Sequence, residues 1–505
     1  MTRTVDLNAI LASVNLLVMG LLLYALLHMD ANNYVDQRSY LLGIVLCLQT
    51  QAALWLERRQ RDPFVILLAF ATIFFYSFRI FTLALYGRSD VFDRYPYAPE
   101  DSNYALIFML IANCCIYLGL YLVKIKRDQV VDIRGWRAAA STRIVVLMAF
   151  AILYAYFSDA PATDESSTGS RLLGVLNTFL APNVIILMSL SYFFLFRRKL
   201  SRMFSFTLAT LIVFEMIVHT LLGSRSAILV IVQNCMFVGL AMAGRIRIRR
   251  RSLLLGIALL PLMMVLLVGS FVISTYNRTV RVVGAPFDLQ KAIASARESG
   301  SEKPISEDLD LILPPIFSRA GYFDFSAEII AHREQYRSVI NLPAYYRSIV
   351  DNILTPGFDV YDQPKISLAM QFVYAALGEP SKERSSDFYQ SDQLGLYGEF
   401  YALFGYGCLP ILFAGACLLK WGYARLRSTN PFILTMKRVV LLFIFERSID
   451  SYGIDWTMEE TIPLVIAIFV FTAFFSIRRD RTTQLLPPPL AAAGGTLPDF
   501  PALAR

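Results

Sequence analysis

The chain has 505 residues, of which 56% are hydrophobic and only 17% charged, and its mean hydropathy is +0.52. This composition excludes an ordinary soluble domain of such size, and the formal net charge of +8 points to membrane orientation and anionic headgroups, not to nucleic acid. Six cysteines, Cys47, Cys114, Cys115, Cys235, Cys408 and Cys417, all fall in apolar segments, so no disulfide framework is expected.

Stretches of about 17 to 25 apolar residues are long enough to cross a bilayer as helices whose backbone groups bond internally. In chain order they lie near 9–28, 40–56, 64–86, 104–123, 144–157, 172–196, 204–222, 226–244, 253–275, 395–419, 432–448 and 461–477. The segment Met1 to Asn8 lacks a basic run and no small-residue cleavage site follows, so no removable signal peptide is expected. Clusters of Arg and Lys occupy every second connection: Arg58 to Arg61, Lys124 to Arg143, Arg197 to Lys199, Arg245 to Arg251, Lys420 to Arg438 and Arg478 to Arg481. By the positive-inside rule these connections and both termini face the cytoplasm. The loops at Asp30 to Asp36, Gly87 to Asn103 and Ser158 to Ser170 then face outward.

The expected fold is therefore an all-α polytopic membrane protein of about 12 transmembrane helices. Residues 1–275 form an N-terminal bundle of nine spans, 276–393 a large outer loop, 394–480 the last three spans, and 481–505 a disordered cytoplasmic tail rich in Pro, Ala and Gly. The outer loop has mixed charge and many Tyr and Phe, which suits a partly helical layer on the membrane. Within it, Ser326 to Val339 has the spacing of an amphipathic interfacial helix.

Candidate chemistry gathers on the outer side. Arg225, in the tight turn Gly223-Ser224-Arg225-Ser226, either offers its fork to a phosphate or snorkels at a helix end. Arg278 and Arg281 begin the long loop three positions apart, and Arg319 follows in Ser318 to Asp324. Such a set can bind a pyrophosphate, or can be ordinary surface charge. Glu399, at the start of the tenth span, is a candidate general base or the partner of a nearby Arg. Glu215 and His219 stand four apart on one helical face, as a proton-handling pair or a buried lock. Asp324, Glu328 and His332 have the same spacing on the loop. A metal site there is not expected, because His332 has no second His or Cys beside it. Arg79, Arg447, Asp450 and Asp455 can line a charged cavity or pair with one another. No P-loop, nucleotide-binding glycine fingerprint, His-Glu-x-x-His or Gly-x-Ser-x-Gly occurs. Energy for any reaction must come from the substrate.

These features resemble the Wzy-type O-antigen and oligosaccharide repeat-unit polymerases of bacterial inner membranes. The resemblance rests on Gly223-Ser224-Arg225-Ser226-Ala227 opening an apolar span, on the large loop after the ninth span, and on Gly398-Glu399-Phe400-Tyr401-Ala402-Leu403-Phe404-Gly405 with Gly407 entering the next. It covers mainly 204–420. It implies a glycosyltransferase of the inner membrane that joins undecaprenyl-pyrophosphate-linked repeat units at the periplasmic face, without cofactor or metal. Arg225, Arg278, Arg281 and Arg319 would hold the leaving pyrophosphate, and Glu399 or His332 would be the base. Tyr401, Asp324, Glu328, Glu215 and His219 are secondary candidates. The implied partners are the lipid-linked oligosaccharide, membrane lipids and a chain-length-regulating co-polymerase. The rival readings are an O-antigen ligase acting on lipid A core, and a polysaccharide transporter or flippase. The latter would place charge near the bilayer midplane in repeated halves.

Overall fold

The computed structural model describes residues 4–60, 62–86, 97–125, 141–157, 182–196, 199–221, 227–243, 247–249, 322–350, 395–450 and 454–479. It also describes most of 131–139 and isolated positions at 254, 258, 360, 368, 371, 372 and 375. Among them the chain is mostly helical. Helices α1 (Leu7–His28), α2 (Gln37–Gln60), α3 (Pro63–Ala71), α4 (Phe78–Tyr86), α5 (Pro99–Leu122) and α6 (Ser141–Phe157) are followed by α7 (Pro182–Phe196), α8 (Arg202–Leu221) and α9 (Ala227–Ala243). Then come α10 (Tyr322–Ala331), α11 (Arg333–Arg337), α12 (Leu342–Ser348), α13 (Gly395–Phe404), α14 (Cys408–Arg425), α15 (Pro431–Asp450) and α16 (Ile454–Phe471).

Local chemistry explains several boundaries. The Asp6 carboxylate accepts from the Asn8 N–H at the start of α1, and Asp62 accepts from the Phe64 N–H ahead of Pro63 at the start of α3. Between α3 and α4 the chain stays helical but widens into a π-helical segment, Thr72–Ser77. Gly405 has φ 56°, the left-handed conformation that ends a helix. A short 3-10 turn, Gly405–Gly407, then leads into α14. The single tenth span expected from hydropathy is thus two helices with a break.

Five stretches are long and apolar enough to cross a membrane, namely Leu7–His28, Gln37–Arg58, Pro63–Leu85, Pro99–Leu122 and Gly395–Arg425, with shorter apolar helices in Thr142–Leu153, Asn183–Phe196, Ile231–Met242 and Glu460–Phe471. Large apolar side chains such as Leu17, Leu27, Phe206, Leu418 and Phe469 stand exposed on helix exteriors, as a lipid-facing surface requires. These are the properties of an all-α membrane protein. The proposed ninth span, 253–275, lies outside the described residues apart from two helical positions, and so does the tail 481–505.

The bundle has two distinct ends. At one, strand β1 (Thr4–Asp6) pairs antiparallel with β3 (Arg247–Arg249), and β2 (Trp136–Ala138) pairs with β4 (Ile477–Arg479). There too Lys420 forms a buried ion pair with Asp62, Arg438 donates to the Ala241 carbonyl at 3.0 Å, and Lys199 donates to the Trp136 carbonyl at 2.9 Å. Basic clusters dispersed along the sequence therefore meet at one face. At the other end, the Asn32 side chain donates to the Leu83 carbonyl, Ser102 to the Tyr34 carbonyl, and Asn103 to Asp36. The segment α10–α13 belongs to this second end.

Polar side chains also clamp the first helices. Asn15 donates to the Cys47 carbonyl at 2.8 Å and to Gln51 at 3.0 Å, and Gln49 donates to the Leu110 carbonyl at 2.9 Å, a recurrent source of adhesion between helices in lipid. At Gly119 the absence of a side chain lets α5 and α14 touch, since a Cβ there would lie 2.5 Å from the Phe413 carbonyl oxygen.

Candidate functional site

Helix α10 is the hub of the end opposite the basic clusters. Its sequence, YFDFSAEIIA, fits an interfacial helix with one wet face, yet all residues from Tyr322 to Ile330 are buried. The expected amphipathic helix over Ser326 to Val339 is corrected on two counts. It begins four residues earlier, and His332 separates it from α11. The physical reason is that its polar side chains find protein partners, which removes the need for water on that face.

Asp324 is one such partner. The Arg79 guanidinium donates to it through Nη2 at 2.7 Å and through Nε at 3.2 Å, and the Tyr97 hydroxyl adds a longer bond of 3.4 Å. Both members of the ion pair are buried. One turn later Glu328, also buried, accepts from the Tyr336 hydroxyl at 2.9 Å and faces His332 Nδ1 at 3.2 Å. The His332 side chain remains 39% exposed. The Glu328 carboxylate thus stands beside one imidazole nitrogen of a partly exposed histidine, a pairing suited to proton transfer.

Helix α13 lies alongside α10 and runs the same way. Gly395 approaches Ser326 and the Tyr322 carbonyl, Gly398 packs on Ser326 and Ile329, and Arg333 just beyond α10 donates to the Tyr401 carbonyl at 3.0 Å. Gly398 is needed for this approach, because a Cβ would sit 3.1 Å from the Ser326 Cα. Gly395 has φ 67°, which only glycine adopts without strain. Between these glycines and the next turn sits Glu399, 2% exposed, receiving a hydrogen bond from the Tyr345 hydroxyl of α12. Two buried carboxylates at this end are thus each matched by a phenol: Glu328 by Tyr336, and Glu399 by Tyr345.

Tyr401 is buried beside Arg333, whose guanidinium lies 5.7 Å from its ring centroid. Its hydroxyl is 2.9 Å from that of Tyr104, which in turn accepts from Tyr406 at 2.6 Å. Of the remaining candidates, Glu215 is buried in α8, while the His219 side chain lies outside the described residues. Arg225, Arg278, Arg281 and Arg319 also lie outside them. Arg447 pairs with Glu460 at 2.8 Å, and the side chains of Asp450 and Asp455 are outside the described set. Among the described residues no group of three or more His, Cys, Asp or Glu is placed to hold a metal ion, and all six cysteines are free.

Tyr336, Tyr345 and Arg333 complete the arrangement, and no motif or spacing in the sequence marks them. Tyr345-Tyr346 is visible only as aromatic content, and nothing in the local spacing signals that one of the two turns inward. Arg79 was visible as an intramembrane cation, but its partner is 245 positions away. No protein-family model, characterised protein or solved structure matches the chain.

Proposed function

We propose that this protein is a membrane glycosyltransferase that joins undecaprenyl-pyrophosphate-linked oligosaccharide repeat units at the outer face of the bacterial inner membrane, with about 12 spans and both termini in the cytoplasm. The observation that carries this reading is the pair of phenol-bonded carboxylates, Glu328 and Glu399, flanked by half-exposed His332 at the end of the bundle away from the basic clusters. Acid–base groups concentrate where a lipid-linked sugar would present its reacting atoms, and the motif resemblance over 204–420 points to the same chemistry.

In the reaction, an acceptor hydroxyl oxygen attacks the anomeric carbon of the donor. The bond from that carbon to the pyrophosphate oxygen breaks, and the pyrophosphate leaves with the bonding electrons. Burial separates the two base candidates. His332 is accessible and has the Glu328 carboxylate beside it, so it takes the acceptor proton. Glu399 is enclosed and acts through Tyr345, as a positioning residue. Charge developing on the leaving group calls for cations, the role assigned to Arg225, Arg278, Arg281 and Arg319, with Arg333, which bonds the Tyr401 carbonyl, as a further guanidinium at this end. The chemistry needs no cofactor. A chain-length-regulating co-polymerase is the proposed partner.

The oriented His332 also suits transfer of the same donor to lipid A core, which is the second reading. Reconstitution with a lipid-linked repeat unit decides. A polymerase yields longer lipid-linked glycans and free undecaprenyl pyrophosphate without nucleotide or ion gradient, whereas a ligase consumes donor only when lipid A core is supplied. His332→Gln should abolish turnover and Glu399→Gln should slow it by about 10- to 100-fold, with protein level unchanged; full elongation by both would overturn the assignment.

A further inference from the structure

Three tyrosines from three parts of the chain converge at the same end: Tyr104 near the start of α5, Tyr401 in α13 and Tyr406 in the turn that follows. Their rings stand nearly perpendicular to one another. Tyr401 and Tyr406 have centroids 5.7 Å apart at 85°, and Tyr104 meets Tyr406 at 6.4 Å and 86°. Phe108 backs the group, 4.7 Å from Tyr401 and 6.0 Å from Tyr406. Edge-to-face packing of this kind holds rings rigidly. Even so, Tyr104 is 39% and Tyr406 49% exposed, so the cluster presents aromatic surface outward.

The hydroxyls carry a second message. Three O–H groups share two hydrogen bonds, Tyr406 to Tyr104 and Tyr104 with Tyr401. Each bond uses one proton, so one of the three O–H donors has no partner in the trio, whichever way the chain is polarised. Arg333 borders the same surface. Its Nε is engaged by the Tyr401 carbonyl, its Nη1 lies 3.6 Å from exposed Glu334, and a quarter of its side chain is open. Stacking surface, a spare hydroxyl proton, acceptor oxygens and a guanidinium thus lie within one patch. Tyrosines of an interfacial belt sit at the headgroup level, and that location by itself gives no reason for three hydroxyls to bond to each other.

We infer that Tyr104, Tyr401, Tyr406 and Arg333 form a carbohydrate-binding platform on which a pyranose ring of the glycan stacks its C–H face and shares its hydroxyls with the tyrosine chain. The identity of the occupant rests on the glycosyltransferase reading; the platform itself rests on the ring and hydroxyl geometry. The four side chains fix a sugar without touching the reacting bond, so they position and do not catalyse.

The test is saturation-transfer NMR on the full chain in nanodiscs of phosphatidylethanolamine and phosphatidylglycerol, using a panel of methyl hexopyranosides and glycerol phosphate as probes. At least one glycoside should receive saturation on the protons of one ring face. Tyr104→Ala and Tyr406→Ala should abolish it, while Tyr104→Phe and Tyr406→Phe, which keep the rings and serve as folding controls, should weaken it by about threefold to tenfold. Tyr24→Ala, an exposed tyrosine of α1, should leave it intact. Absence of transfer to every glycoside, transfer to glycerol phosphate alone, or full retention in the Ala variants would overturn the platform. Elongation measured separately keeps the two ideas apart. An elongating enzyme without sugar saturation refutes only the platform, and sugar saturation without elongation refutes only the reaction.

Discussion

Replacing Asp324 by Asn keeps the shape of the side chain and removes its charge, leaving the Arg79 guanidinium enclosed with no counter-ion. Arg79 is 2% exposed and sends two nitrogens to that carboxylate, at 2.7 and 3.2 Å. Breaking one member of a buried pair costs about 3–5 kcal/mol, which is roughly two to four decades in the folding constant. By contrast, Arg79→Met combined with Asp324→Leu removes both charges and retains volume, and its stability should come back to within about 1 kcal/mol of the parent or exceed it. Reversible unfolding in mixed micelles, read by steric trapping, measures both singles and the double. The coupling energy then isolates the pair from the packing of each residue. If Asp324→Asn loses less than about 1 kcal/mol, water reaches this pair and α10 is not anchored to α4 in the manner described.

Tyr345→Phe deletes the hydroxyl that donates to Glu399, a bond to a charged group worth about 1.5–3 kcal/mol; glycan elongation should slow by about 10- to 100-fold with unchanged protein level, as read by product gels. Lys420→Met should destabilise the protein by about 3–5 kcal/mol because Asp62 would stay buried without its cation, and Asp62→Leu in the same chain should recover most of that loss in the same unfolding assay, short by about 1 kcal/mol for the missing cap of α3. Gly119→Ala forces a methyl group against the Phe413 carbonyl and should cost about 1–3 kcal/mol, with cross-linking between α5 and α14 reduced. Burial pushes the Asp36 carboxyl up, but hydrogen bonds from the Ser39 backbone, Asn103 and the Ser39 hydroxyl outweigh it and hold the carboxyl below its usual value. The stability it supplies is complete above the ordinary Asp value of about 3.9 and is lost as pH falls through the lower folded value. Thermal melts should therefore lose a step on acidification below about pH 4 that Asp36→Asn does not show.

Hydropathy made much of the fold legible, because a lipid-crossing helix has a length and composition that few other elements share. Leu7–His28 and Pro99–Leu122 fall where the apolar runs are. What it missed is local geometry that leaves hydropathy unchanged. The π-helical segment Thr72–Ser77 and the break at Gly405 both lie inside unbroken apolar stretches, and the second depends on one residue's backbone. The site was legible as a set of residue types. Glu399, Asp324, Glu328 and His332 stood out as ionisable groups beside apolar segments, and the four-residue spacing correctly aligned Asp324 with Glu328 along one helix. Their partners were not legible. Arg79 with Asp324, Tyr345 with Glu399 and Lys420 with Asp62 join distant segments, and a single sequence carries no signal of which distant segments touch.

The widened turn at Thr72–Ser77 sets the angular phase of everything after it in the third span. A π turn accommodates one residue more than an α turn, and each residue of an α-helix advances the side chains by about 100°. Were the segment to tighten into regular α-helix with all its residues kept, the extra residue would swing the Arg79 side chain by about that angle, away from Asp324. The cation would then face lipid or a neighbouring helix, at an insertion cost of about 2.5–3.5 kcal/mol near the centre of the bilayer. Loss of the widened turn, in a stretch with no catalytic side chain, would thereby unhook the helix that carries Glu328.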